Sequence, residues 1–334
     1  MKKSRILSID GGGIRGIIPA TILLYLEKQL KIKTGKDRNI GDWFDMIAGT
    51  STGGILACIY LIADFNGKAR YSAEEALNLY LKDGPSIFQL NELQEISSGF
   101  GLLHPKYSNL ALCRLLVGFF QNMLMSDIKK PYLITSYDIE NRKSVLFCYG
   151  DDNKDSPIAL VTQATAAAPT YFAPLPFGDT QKHMILIDGG MVANNPTMCT
   201  YVEAQKTKIG TILNDTFKKD NPDIHDMLIV SLDTGNTKLQ PYTDMQNAGE
   251  IKWVKPLFDI MMSTSSEIVD YQVRKEFEGT DQYYRIASPL INASPVMDDA
   301  EAINIEALHQ DALNYISGNE AILDEVMDQL IEND

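Results

Sequence analysis

Histidine is scarce in this sequence, and its four residues are poorly placed for catalysis. His104 lies in an apolar loop, His183 shortly before a predicted strand, His225 in a polar segment and His309 in the middle of a predicted helix. None of them follows a strand with the turn chemistry that would aim an imidazole at a nucleophile. A Ser-His-Asp triad is therefore not indicated, and serine-based chemistry in this chain would need a different base.

Cysteine is equally rare. Cys58, Cys113, Cys148 and Cys199 stand singly among apolar residues, and no Cys-x-x-Cys spacing occurs. Zinc sites and redox motifs use such paired spacings, so neither is predicted. Isolated thiols in apolar surroundings are typical of buried, unpaired cysteines in a reducing compartment.

Basic residues are outnumbered and do not cluster. The sequence has 30 Lys and Arg against 44 Asp and Glu, which gives a formal net charge of −14. Nucleic-acid binding needs clusters of Lys and Arg, so nucleic acid is excluded as an expected partner. A polybasic membrane anchor is excluded for the same reason. Contact with a membrane surface would be transient and would use apolar groups or a locally basic face.

Long apolar runs are also missing. No run approaches the length of a transmembrane helix, and the apolar stretch at residues 6–9 is too short for the core of a signal peptide. We therefore expect a cytoplasmic protein, with secretion by a route that leaves no signal as the alternative. No repeat or linker divides the sequence, which predicts a single domain over residues 1–334. Its motifs fall within about residues 5–200, and residues 201–334 complete the fold.

Strand and helix patterns alternate along the chain. Predicted strands at residues 5–9 and 43–48 are each followed by a glycine-rich turn and a helix, at residues 17–30 and 55–63. This alternation predicts an α/β sandwich with a mostly parallel sheet. Further strands are predicted at residues 131–139, 143–149, 184–187, 226–232 and 283–286, and further helices at 72–82, 109–121, 158–168, 197–208, 301–316 and 321–331.

The strongest chemical motif is Gly49-Thr50-Ser51-Thr52-Gly53. It has the G-x-S-x-G form of a nucleophile elbow and lies between a predicted strand and a predicted helix, as such an elbow requires. Gly49 and Gly53 permit a tight turn, and the Ser51 hydroxyl would lie at a helix N-terminus, where negative charge is favoured. Ser51 is therefore the candidate nucleophile. The alternative is a Gly/Ser turn that only caps the helix.

Asp188 is the candidate base for this serine. It ends the predicted strand at residues 184–187 and is followed by Gly189 and Gly190, so the chain turns directly after it. Functional side chains of α/β folds lie at strand ends, and a carboxylate there could take the serine proton without an imidazole. By itself the pattern is also typical of an aspartate that starts a turn.

A second glycine-rich turn, Asp10-Gly11-Gly12-Gly13-Ile14-Arg15-Gly16, follows the first predicted strand. Consecutive glycines expose backbone N–H groups at the start of a helix, which suits an oxyanion hole. Arg15 could brace this turn or attract a phosphate head group. The same glycines match the dinucleotide fingerprint G-x-G-x-x-G, but no second strand ends in an acid about 20 residues on, as that fingerprint requires. A nucleotide-binding protein is the weaker alternative.

These three motifs, in this order, resemble the patatin-like phospholipase family. The similarity extends to residues 6–23, 44–54 and 166–172, which look like the corresponding stretches of plant patatins. The resemblance implies a three-layer α/β/α sandwich. It also implies hydrolysis of acyl esters of phospholipids, lysophospholipids or galactolipids, with no cofactor and no metal in the chemical step. Asp233 departs from the glycine that bacterial relatives often have there.

The resemblance assigns roles to residues in the motifs. It implies Ser51 as nucleophile and Asp188 as its base, which together form a catalytic dyad. It places the oxyanion hole at Gly11, Gly12 and Gly13, with Gly12 and Gly13 as the main donors. Arg15 would support that turn.

The expected activity is that of a serine-dependent lipid acyl hydrolase of the phospholipase A or lysophospholipase type, acting through an acyl-enzyme. The alternative is a regulated bacterial effector or toxin that stays silent until a nucleotide or protein partner activates it. The apolar segment at residues 85–107 is expected either to act as a lid against a bilayer or to pack into the core.

Overall fold

One β-sheet runs through the part of the chain that the computed structural model describes, which is residues 1–89, 104–178, 183–235, 245 and 249–334. Eight strands of this part form the sheet, in the order β5-β6-β3-β2-β1-β7-β8, with β4 paired to β3. The strands are β1 Ser4–Ile9, β2 Met46–Gly49, β3 Tyr132–Asp138, β4 Lys143–Cys148, β5 Leu175–Gly178, β6 His183–Asp188, β7 Met227–Leu232 and β8 Tyr283–Ile286.

Parallel pairing forms the centre of the sheet. Strands β3, β2, β1, β7 and β8 pair in parallel, whereas β4, β5 and β6 join by antiparallel pairing on the β3 side. Every residue of β1 and β7 is buried, as expected for parallel strands covered on both faces. The carboxyl ends of β1, β2 and β7 therefore meet at one edge of the fold.

The sheet separates two apolar cores. Leu7 and Ile9 of β1 belong to the larger core, whereas Ile6 belongs to the smaller one. The same alternation continues in β7, where Val230 faces the larger core and Ile229 the smaller one. Because side chains alternate between the faces of a strand, helices must cover both sides. The predicted three-layer α/β/α sandwich is confirmed.

Helices form the two outer layers. In the described residues they are α1 Ile17–Thr34, α2 Thr52–Leu61, α3 Ala73–Asn78, α4 Gly84–Ile87, α5 Asn109–Phe120, α6 Ile158–Thr165, α7 Gly190–Ala193, α8 Thr197–Ala204, α9 Ile209–Leu213, α10 Glu250–Glu276, α11 Ala302–Gly318 and α12 Glu320–Glu332. Helices α1, α2, α5, α6, α11 and α12 cover the larger core, and α8, α9 and α10 the smaller one. No helix in the described ranges is both long and apolar enough to cross a bilayer.

Most predicted elements are present, and three of the differences have a clear origin in the sequence. Strand β5 is not predicted, because it has only four residues and includes Pro176. Strand β2 begins at Met46, since the preceding Ile40–Trp43 forms a 3-10 turn. The helix predicted at residues 72–82 keeps its Ser72–Glu75 capping box but changes to a π-helical turn at Leu79–Asp83.

The cysteine prediction is confirmed only in part. All four thiols are free, but Cys58 alone is fully buried, and the other three are partly exposed. The lid hypothesis falls mostly on residues 90–103, which lie outside the described ranges. Of the flanking residues, Phe88 packs against Tyr107 and Phe172, with ring centroids 5.4 Å and 6.1 Å apart.

Candidate active site

Ser51 lies on a strained turn between β2 and α2. Its backbone dihedrals are φ 54° and ψ −121°, a conformation that costs energy for any residue with a side chain. A Cβ atom on Gly49 would lie 2.1 Å from the Gly53 carbonyl oxygen, and a Cβ on Gly53 would lie 2.2 Å from the Ile9 carbonyl oxygen. The turn therefore requires glycine on both sides of the serine, as in a nucleophile elbow.

Strand β3 brings Asp188 to this turn. It pairs with the end of β2 at Ile134 and with the end of β6 at Ser136, so the two strand ends meet. The Ser51 hydroxyl donates a hydrogen bond of 2.7 Å to Oδ2 of Asp188. The other carboxylate oxygen accepts a hydrogen bond of 2.7 Å from the Gly190 amide. The two candidate residues, which are 137 positions apart in the sequence, are in direct contact.

Asp188 is buried without a cation beside it. Burial raises the pKa of Asp188 to about 7, although the hydrogen bonds from Gly190 and Ser51 lower it. Within the described ranges, no lysine, arginine or histidine forms an ion pair with this carboxylate. A carboxylate whose pKa lies near neutrality is well suited to accept a proton at physiological pH.

The glycine-rich turn lies beside Ser51, and its amides differ in availability. Gly12 and Gly13 line the same pocket as Ser51 and Asp188, and their N–H groups find no acceptor among the described residues. The Gly11 amide instead donates to the Asn194 carbonyl oxygen, at 3.0 Å. Gly11 is needed for close approach, because a Cβ there would lie 3.2 Å from Cβ of Ser51. In this structure the Gly11 amide is therefore already paired.

Several contacts hold this turn in place. The half-buried Arg15 donates through Nε to the Gly12 carbonyl oxygen, at 3.2 Å, so its position fits the expected bracing role. Thr234 donates to the Gly11 carbonyl oxygen, at 2.7 Å. The carbonyl oxygen of Met297 accepts from the Ile14 amide, at 2.9 Å. The carbonyl groups of Gly11 and Gly12 are thus occupied, whereas the amides of Gly12 and Gly13 have no acceptor among the described residues.

A buried ion pair anchors the start of the turn. Both carboxylate oxygens of Asp10 accept from Arg285 of β8, at 2.9 Å and 2.5 Å. Asp233, the departure from the bacterial pattern, lies nearby and accepts from the amides of Gly235 and Ser288. Burial raises the pKa of Asp233 to about 6, while Arg285 lowers it. Sequence patterns could not identify Arg285, because it belongs to a strand 275 residues away.

The π-helical turn contributes a contact that the sequence did not predict. The Tyr80 hydroxyl donates to the Thr52 carbonyl oxygen, at 3.1 Å, and accepts from Oγ1 of Thr52, at 2.7 Å. Thr52 follows Ser51 directly, so Tyr80 supports the first turn of α2. Its ring also lines the pocket. Single π-helical turns are frequent at functional sites.

The pocket beside the two candidate residues is almost entirely apolar. It encloses about 710 Å³ of empty space, its open side included. Helices α2, α4, α5 and α10 contribute to its walls, with side chains that include Ile55, Ile87, Leu112, Leu115, Leu116, Phe172, Phe258 and Met262. All four histidines belong to the described residues, and none of them lines this pocket. The site therefore places a serine and a carboxylate beside an apolar pocket.

Comparison with known proteins identifies the class to which this fold and site belong. The family model for the patatin-like phospholipases matches residues 7–200, which is more than half of the chain. The chain is 31% identical to Patatin-like protein 1 of Arabidopsis thaliana over 342 aligned residues, covering 91% of this chain and 79% of the relative. It is 32% identical to the Probable inactive patatin-3-Kuras 1 of Solanum tuberosum, covering 93% and 86%.

The chain therefore belongs to the patatin-like phospholipase family, which is a family of lipid hydrolases. Human GIVD cytosolic phospholipase A2 has the same kind of fold, with a TM-score of 0.53 at 11% identity, over 99% of this chain and 61% of that one. The name of the potato relative describes it as probably inactive. Family membership alone thus does not establish catalysis, and the case for it depends on the geometry of the site.

Proposed function

We propose that this protein is a lipid acyl hydrolase that cleaves acyl esters with a Ser51–Asp188 dyad. The observation that carries this proposal is the 2.7 Å hydrogen bond from the Ser51 hydroxyl to Asp188, made beside an apolar pocket. A nucleophile and a base within hydrogen-bond distance are the minimum for covalent catalysis by serine. The substrate class follows from the pocket, since apolar walls suit an acyl chain.

The first half of the reaction forms an acyl-enzyme. The ester carbonyl carbon lies next to Oγ of Ser51, and its oxygen points to the amides of Gly12 and Gly13. As Oγ attacks the carbon, Asp188 takes the hydroxyl proton, and the two amides stabilise the negative oxygen. The ester C–O bond then breaks, and Asp188 returns the proton to the departing alcohol.

The second half releases the fatty acid. A water molecule gives one proton to Asp188 and attacks the acyl carbon, which forms a second tetrahedral intermediate at the same two amides. The bond from the carbon to Oγ breaks, and the proton on Asp188 passes to Ser51. Because burial holds the pKa of Asp188 at about 7, the carboxylate can accept and release a proton near neutral pH.

The test is the conversion of a mixed phospholipid extract, followed by mass spectrometry of the products. Wild-type protein should release free fatty acids and lysolipids, and Ser51→Ala should release neither, since loss of a serine nucleophile costs roughly 10⁴- to 10⁶-fold in rate. Ser4→Ala is the matched control, because Ser4 is also buried but lies at the opposite end of β1. Equal product release by wild type and Ser51→Ala would refute the proposed nucleophile.

A further inference from the structure

Helix α10 forms one wall of the apolar pocket and is itself at the protein surface. On its inner side, Phe258 and Met262 line the pocket together with Ser51 and Asp188. Met262 packs on the turn after Asp188, since a Cβ atom on Gly190 would lie 2.4 Å from its Sδ atom. The inner side of α10 therefore reaches the reacting groups.

The outer side of the same stretch exposes large apolar side chains. Leu257 is 47% exposed, Ile260 37% and Met261 44%. Their spacing of three and four residues places them on one face of the helix. Consecutive helical residues are about 100° apart, so this face adjoins the one that lines the pocket. Trp253 lies one turn before Leu257, so the helical spacing places it on the same face, and its side chain is half-buried.

The chemistry of this outer face suits a bilayer. Tryptophan is enriched where membrane and water meet, and exposed apolar patches mark interaction sites. The net charge of −14 gives no general attraction to anionic lipid, and the exposed side chains of this face are apolar. The face is also continuous with the pocket wall, so an acyl chain could pass from bilayer to pocket along α10 without crossing water.

We propose that the outer face of α10, formed by Trp253, Leu257, Ile260 and Met261, is the surface with which this protein docks on a lipid bilayer. This inference rests on the proposed function, because it names the surface from which the substrate enters. Docking needs apolar contact and no catalysis, so a catalytically inactive variant should still bind vesicles.

The chain carries its own probe for this contact. It has two tryptophans, of which Trp43 is fully buried in the core and Trp253 lies on the proposed surface. The test adds phosphatidylcholine vesicles with brominated acyl chains to Ser51→Ala and measures tryptophan fluorescence. We expect the vesicles to quench the tryptophan fluorescence of Ser51→Ala. The double variant Ser51→Ala, Trp253→Phe should show no quenching. The quenching should change little between low and high salt, because apolar contact is not screened.

A pair of matched double variants tests whether the apolar residues of this face contribute to vesicle binding. In the Ser51→Ala background, Leu257→Gln with Met261→Gln should raise the lipid concentration for half-maximal quenching at least about tenfold, from the lost apolar burial. Ile32→Gln with Phe65→Gln is the control. These residues are 74% and 98% exposed, but lie near the C-terminal ends of α1 and α2, away from Ser51. Thermal unfolding of each variant checks that it is folded.

The outcomes separate the two proposals. No quenching of Ser51→Ala, or equal weakening by both pairs of variants, would overturn the docking surface whether or not the wild type hydrolyses esters. A dimer in light scattering that only Leu257→Gln with Met261→Gln dissociates, with vesicle binding unchanged, would assign the face to a second copy instead. Vesicle binding by a wild type that cleaves no soluble short-chain ester would leave docking intact and remove the proposed function.

Discussion

The two ends of strand β1 both hold buried charges, but the charges are balanced differently. At the amino end, Asp45 is paired with two cations, Arg5 at 2.9 Å and Lys218 at 2.7 Å. Arg5 also pairs with Asp334, at 2.9 Å. At the carboxyl end, Asp188 is equally buried but has a hydroxyl and an amide as its partners.

The difference appears in the pKa values of the two carboxyl groups. Burial raises the pKa of Asp45, but Arg5 and Lys218 lower it by more, so that it ends below its ordinary value. Burial raises the pKa of Asp188 to about 7, because no cation opposes it. The carboxylate of Asp45 is thus neutralised by cations, whereas Asp188, the proposed base, has no cation beside it although the Asp10–Arg285 ion pair lies at the same end. Strongly shifted groups in clefts are typical of functional sites.

The largest effect is expected from Asp188→Asn, which should lower activity and raise stability. Without a base, hydrolysis of a soluble short-chain ester should fall about 10⁴-fold. Stability should change in the opposite direction. A folded-state pKa of about 7 against about 3.9 in the unfolded chain means that the carboxylate destabilises the fold as pH rises between those values. Asparagine removes this effect, which predicts a gain of about 2–4 kcal/mol above pH 7.

Urea unfolding at pH 4 and pH 8 measures this gain, which should appear at pH 8 only. Hydrolysis of the soluble short-chain ester by the same preparation measures the predicted loss of activity. An active variant would contradict the role of Asp188 as base, and a variant less stable than wild type at pH 8 would contradict the unpaired state of its carboxylate.

The opposite behaviour is expected at the amino end of β1. Asp45→Ala leaves Arg5 and Lys218 buried without their shared partner, which should lower the free energy of unfolding by about 3–5 kcal/mol. Activity per folded molecule should stay close to wild type, because the change lies at the far end of the strand. Asp328→Ala, which breaks the exposed pair with Lys33, is the control and should change stability little. A loss of activity in folded Asp45→Ala would contradict the interpretation that Asp45 stabilises the fold without contributing to catalysis.

Gly12→Ala tests the turn at the carboxyl end. A Cβ atom there would lie 2.1 Å from Oγ1 of Thr234, so the turn must shift and carry its amides away from the oxyanion. We expect kcat to fall about 10²- to 10³-fold, which is the usual cost of one lost oxyanion donor. Gly118→Ala in α5, where a Cβ meets nothing within 4 Å, is the matched control. Equal kcat in the two variants would exclude Gly12 from the oxyanion hole.

The sequence predicts the candidate catalytic residues of this site better than the residues that hold them in position. Ser51 and Asp188 could be proposed because each stands at the end of a strand in a turn motif with a local pattern. Arg285 and Thr234 could not, because they reach the glycine-rich turn from distant positions through the sheet order, which no local pattern encodes. The partner of the Gly11 amide, Asn194, could not be predicted for the same reason, since it is 183 residues away in the sequence. Strand β5 was missed because its short, proline-containing segment gains its pairing only from β6.

The smallest predicted effect is a pH dependence of hydrolysis. Only ionised Asp188 accepts the serine proton, so kcat/KM should fall about tenfold per pH unit below a midpoint near 7, the pKa that burial gives this group. The rival is Asp233, with a pKa of about 6, because it lies beside the anchored turn. Measuring kcat/KM between pH 5 and pH 9 for wild type and Asp233→Asn separates them. A midpoint near 7 in both proteins would assign the ionisation to Asp188. A midpoint near 6 in wild type that disappears in Asp233→Asn would assign it to Asp233.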